Sequence, residues 1–204
     1  MKKIVTFLSI SLALLVLGVR LSPADQGKAA SGNLPEYTSD GQLKFPAQYR
    51  EWVYLTSGLN MSYAPRVAGM ADHDMFDNVF VNPSSYQYFL QNGKWPDKTM
   101  FVLEVRGSVG KGSINNGGHY QSDVIAVESE IKDTARFPGS GWGFYAFGLA
   151  ATGKVFPKTA ACYTCHAEKG AVDNTFVQFY PTLLKIAKEK RTLSPAYVAA
   201  ERGQ

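Results

Sequence analysis

The stretch Ala160-Ala161-Cys162-Tyr163-Thr164-Cys165-His166 is where residue types and spacing point to chemistry. C-x-x-C-H is the attachment signature of a c-type haem. Two thiols one helical turn apart can each add to a haem vinyl group, and the imidazole beside them can ligate the iron. These are the only 2 cysteines in the 204 residues. A thioredoxin-like pair would follow a strand at the start of a βαβ unit, and no such pattern precedes the motif. A structural zinc site needs four ligands. Beyond the motif the chain offers only His73 and His119, at no finger-like spacing.

With His166 as the proximal ligand, the chemistry turns on the sixth position of the iron. The 38 residues after His166 hold neither methionine nor histidine. A second ligand must therefore come from upstream: Met61, Met70, Met75, Met100, His73 or His119. For the methionines gap-filling or surface placement is the ordinary role, and the histidines sit in polar loops. The expectation is five-coordinate iron with an open side, which suits small-ligand chemistry better than simple electron transfer.

The elements that position the motif begin after a leader. Met1-Lys2-Lys3, the apolar run Ile4 to Val19 and the small residues Ser22-Pro23-Ala24 read as a signal peptide over residues 1–24. That segment carries Lys2, Lys3 and Arg20 and no acid, so its removal lowers the formal charge from +4 to +1. No basic run or basic-aromatic stripe remains to suggest nucleic acid. Residues 25–42 read as a flexible leader, and 43–204 as one domain, long enough for a real core.

Within that domain, a short helix is expected over 47–52 and a loop over 58–74. Strands are expected over 77–81, 99–106, 124–131 and 141–149. Asn82, Pro83 and Gly93 punctuate a helix between the first two strands. Phe101, Leu103 and Val105 make one apolar strand face, with Glu104 and Arg106 opposite. Ile125, Val127 and Ile131 make another, with Glu128 and Glu130 opposite. Gly107 to Gly118 reads as a flexible connection, 180–190 as a helix, and the remainder as a polar tail.

In this order, several stretches resemble the cytochrome P-460 family, which includes the β-type cytochromes c′. They are Phe45-Pro46-Ala47-Gln48-Tyr49-Arg50-Glu51-Trp52, Val79-Phe80-Val81-Asn82-Pro83, Trp95-Pro96-Asp97-Lys98-Thr99 and Val127-Glu128. Further on come Lys132-Asp133-Thr134-Ala135-Arg136-Phe137, Trp142-Gly143-Phe144, the haem motif, Phe176 and Phe179-Tyr180-Pro181. The resemblance implies an α+β fold, mainly an antiparallel β sheet with a few helices, and a C-terminal helical segment carrying the haem motif. It also implies a homodimer and one haem c, attached through Cys162 and Cys165. The helical cytochromes c′ share a C-terminal motif, but a four-helix bundle does not fit the period-2 strands.

Two activities follow from the resemblance. Cytochrome P-460 proper oxidises hydroxylamine and carries a lysine bonded to the porphyrin; cytochrome c′-β lacks that bond and binds nitric oxide in an apolar pocket. The cross-linking lysine belongs just before Glu104, where this chain has Leu103. The resemblance makes Leu103 a wall of the distal pocket, Phe76 a cap on it, and Glu128 a carboxylate placed to move protons. Arg136 is a candidate partner for a haem propionate, although an exposed surface position is the more ordinary role for an arginine there. The favoured expectation is a periplasmic haem protein that binds nitric oxide or a similar small ligand. Hydroxylamine oxidation through Glu128 and plain electron transfer stand as alternatives.

Overall fold

A computed structural model describes residues 34–63 and 75–203. The signal segment expected over residues 1–24 lies outside them, as do Met70 and His73. Seven strands form one sheet: β1 (Leu43–Lys44), β2 (Val53–Leu59), β3 (Met75–Val81), β4 (Met100–Val109), β5 (Tyr120–Lys132), β6 (Trp142–Gly148) and β7 (Thr152–Val155). Their order is β1-β7-β6-β5-β4-β3-β2, with every pairing antiparallel. Four α-helices complete the described fold: α1 (Pro83–Asn92), α2 (Ala161–Lys169), α3 (Pro181–Lys190) and α4 (Pro195–Arg202). This is the expected α+β class, with the C-x-x-C-H residues on α2.

Helix α1 forms where its punctuation predicts. Pro83 occupies the first turn, and Gly93 ends the helix in the left-handed region at φ 66°, its N–H donating to the Phe89 carbonyl. Glycine is suited to that backbone because it has no Cβ to clash. The 47–52 helix shortens to a 3-10 turn over Tyr49–Glu51, and the chain then extends into β2. Strand β4 runs on to Val109 and β5 begins at Tyr120, so the glycine-rich connection is mostly the end of a long hairpin. The supposed polar tail contains α4, whose Ser194 side chain accepts a hydrogen bond from the Tyr197 N–H. The leader expected over 25–42 is packed at its end, where Tyr37 bridges to Leu43 and its ring meets that of Tyr145.

Both faces of the sheet are covered. On one, Leu43, Trp52, Met100, Val102, Val127 and Ile131 make a core. On the other, Phe101 and Trp142 pack with Phe89, Trp95, Tyr180 and Leu183. Antiparallel sheets often leave one side to solvent, which would put the polar face of each strand in water. Here the face opposite Val127 and Ile131 looks onto helices and a cavity instead. Glu104, on the Val102 side, is also buried, taking hydrogen bonds from Tyr49, Arg50 and Arg106.

Candidate haem site

Helix α2 brings Cys162, Cys165 and His166 to one side of a cavity of about 540 Å³. The facing wall is the sheet: Val79 from β3, Phe101 and Leu103 from β4, Phe144 from β6. Register explains the wall, because Val79 pairs with Leu103 and Leu103 pairs with Glu128 across three adjacent strands. Residues of one parity point to one face, so Glu128 and Glu130 enter the cavity beside those apolar side chains. The segment after α2 closes the site with Phe176, Phe179 and Tyr180.

His166 is held on several sides. Its Nδ1 lies 2.9 Å from the Asn174 carbonyl oxygen, to which the ring N–H donates. Its ring packs against Phe144 and Phe176, with centroids 4.6 and 4.2 Å away. Nε2 makes no hydrogen bond among the described residues, so it is the nitrogen left for a metal. A metal-ligating histidine commonly gives its other N–H to a carbonyl or carboxylate in this way.

The turn that supplies the Asn174 carbonyl is itself secured. Val172 and Thr175 bridge across it, and Asp173 and Asn174 both take left-handed backbone, at φ 50° and 62°. Asp and Asn tolerate that region better than most residues. The Trp95 indole N–H donates to Thr175 Oγ1 at 2.9 Å. Lys132 Nζ donates to the Trp95 carbonyl at 2.8 Å and also pairs with Asp173. The conspicuous Trp95-Pro96-Asp97 turn and Lys132 thus act on the site from outside it.

Three carboxyls border the cavity. Glu128 opens onto its free space, yet the surrounding walls push its carboxyl above the usual range by desolvation, and the charge of Asp77 adds to the shift. Burial likewise raises Asp77. Glu130 Oε1 stands 3.3 Å from His166 Nδ1, but the N–H points to Asn174, so the contact is an ion-pair distance without a hydrogen bond. Burial raises Glu130, with His166 opposing the shift. Burial alone would lower His166; the Glu130 carboxyl and the Asn174 carbonyl outweigh it and push it up.

The expected residues divide. Leu103, Glu128, Cys162, Cys165 and His166 meet at the cavity. Phe76 does not: it alternates with Asp77 and Val79, so it falls on the opposite face of β3, and Asp77 lines the space instead. Arg136 does not either, because its exposed guanidinium stacks 3.7 Å over the Tyr37 ring, whose partner Tyr145 belongs to the core on the far side of the sheet. Among the upstream methionines and histidines in the described residues, Met61 lines the cavity. Met100 is in the opposite core, and His119 meets Ser108 through Nδ1 in the β4–β5 hairpin.

The donor set fits a haem. Both cysteines are free thiols, partly buried at the cavity, and burial pushes Cys162 up. An apolar space in the usual size range for cofactor pockets lies against a histidine with its outer nitrogen fixed. These features define a haem protein on an antiparallel sheet. The family model for cytochrome P460 matches residues 46–177, and the chain belongs to that family. No curated protein matches it.

Proposed function

We propose that this chain is an exported c-type cytochrome with a single haem, which takes nitric oxide or a similar small ligand at a five-coordinate iron. The observation that carries the reading is the apolar wall of Val79, Phe101 and Leu103 facing the C-x-x-C-H helix. Bound there through Cys162, Cys165 and His166, the haem supplies an iron able to bind a diatomic ligand. Leu103 offers no nucleophile for a porphyrin cross-link and no hydrogen bond to entering water. Such a wall favours ligands that need no polar help over those that do. Asn174 holds the His166 ring in the tautomer that presents Nε2. Export to the periplasm is supported by the basic, apolar and small-residue order of residues 1–24. A homodimer and a redox partner protein complete the proposal.

The pair Asp77 and Glu128 supports a second reading. Both carboxyls border the same cavity with raised proton affinity. They are placed to accept protons from an N–H or O–H substrate such as hydroxylamine.

Nitric oxide added to the reduced, haem-loaded protein, and hydroxylamine added to the oxidised form, separate the two. A high-spin spectrum that shifts with nitric oxide, without hydroxylamine turnover, is expected. Turnover that falls at least tenfold in Glu128→Gln would establish the second reading. A low-spin spectrum indifferent to both would leave an electron carrier, with Met61 the first ligand to replace.

A further inference from the structure

Glu130 is a buried acid that neither reading employs. Strand β5 sets it between Phe101 and Phe144 in the pairing register, and only 11% of its side chain is exposed. Its Oε1 has no hydrogen-bond partner among the described residues and lies 3.3 Å from His166 Nδ1. A buried carboxyl oxygen left without a donor is costly, so its position beside one particular nitrogen calls for a reason.

We infer that Glu130 is a positioning residue for the iron ligand, one that sets how strongly His166 donates electrons through Nε2. This role, which rests on His166 being that ligand, follows from the division of labour around the ring. The Asn174 carbonyl takes the N–H and fixes the tautomer. Phe144 and Phe176 prevent the ring from swinging. The Glu130 carboxyl turns Oε1 to the same edge, an electron-rich oxygen 3.3 Å from Nδ1 that little water screens. Negative potential at Nδ1 drives electron density toward Nε2, which favours the oxidised state of a metal bound there. Glu128, two residues earlier on the strand, faces the Asp77 side of the cavity and does not share this contact.

The test uses the haem-loaded protein and two readouts other than turnover. They are the midpoint reduction potential and the iron–histidine stretching frequency of the reduced form. Glu130→Gln keeps the side-chain shape and removes the acid. It is expected to raise the potential by about 59 mV or more, a tenfold change in the one-electron equilibrium, and to lower the stretching frequency. Glu130→Asp, with its acid drawn back by one methylene, is expected to fall between. Exposed Glu168 on α2 gives a control, and Glu168→Gln is expected to change neither value. Unchanged potential and frequency in Glu130→Gln, with haem content intact, would overturn the role. Should that variant fail to fold, the unmodified protein still decides. A stretch on the histidinate side of neutral imidazole complexes supports the role, and one at the neutral value overturns it. Absence of any iron–histidine band from the unmodified reduced protein would count against the five-coordinate, His166-ligated iron itself, a result distinct from both.

Discussion

Glu104 shows what a buried charge requires at the scale of a single residue. Its side chain is only 4% exposed, and it accepts from Arg106 at 2.5 Å and from Arg50 at 2.6 Å, with Tyr49 also donating. Burial alone would raise the carboxyl; the hydrogen bonds of Arg106 and Tyr49 and the two arginine charges outweigh it and hold it below the usual range. A lowered folded value means stability that is fully present above the unfolded carboxylate pKa and lost as pH falls through the folded one. Glu104→Gln is therefore expected to cost roughly 1.5–3 kcal/mol at neutral pH, with the difference shrinking under acid. Chemical denaturation of both proteins across acidic pH checks this. The same strand pattern in the sequence places Glu104 opposite the apolar face, which is correct. What the pattern lacks is the second core that buries it.

Among the elements, α1 and the long strands were legible because their signals are local. Pro83 and Gly93 act on neighbouring backbone, and alternation in β4 and β5 needs no distant partner, whereas the Asn82 side chain accepts from the Met100 N–H instead of capping the helix. β2 and β7 were harder, since Thr56-Ser57-Gly58 and Thr152-Gly153-Lys154 carry little apolar periodicity and owe their extension to pairing with β3 and β6. The Asn174 carbonyl could not be read at all, because a main-chain oxygen leaves no residue-type signal. Phe76 and Asp77 show a sharper limit: choosing between adjacent residues requires knowing which face of β3 meets the cavity.

The link between α2 and its supporting turn carries a prediction at this scale. Gly170 follows α2 directly, and a Cβ there would come within 2.6 Å of the His166 carbonyl oxygen and 2.7 Å of the Asn174 carbonyl carbon. Its φ of −65° is open to any residue, so space and not backbone strain requires the glycine. Gly170→Ala must push the turn away from the helix, at roughly 1–3 kcal/mol, and loosen the hold of Asn174 on His166. Thermal unfolding of the variant is expected to begin lower, together with a heterogeneous spectrum of bound haem. Full stability and an unchanged spectrum would show that the turn shifts freely.

At the scale of the molecule, the sheet separates two tasks. One face carries a closed core around Val102, Val127 and Ile131, while the other carries the helices and the cavity. The connection from β6 through β7 to α2 brings a C-terminal motif back against the middle strands. The motif itself was plain in the sequence, since Cys162, Cys165 and His166 are contiguous. The wall it faces is assembled from β3, β4, β5 and β6 and belongs to no single stretch. Glu130 is the clearest case, reading as a solvated strand acid beside Glu128 until the fold sets it against His166.

Every role proposed for the cavity depends on Cys162 and Cys165 holding one haem against this wall. The most direct measurement is the mass of the denatured mature protein, produced in a host that exports it and attaches haem c. The expected mass is that of the chain without its signal segment plus one haem, with the addition lost in the Cys162→Ala, Cys165→Ala form. A bare chain, or a haem retained covalently when both cysteines are gone, would contradict it.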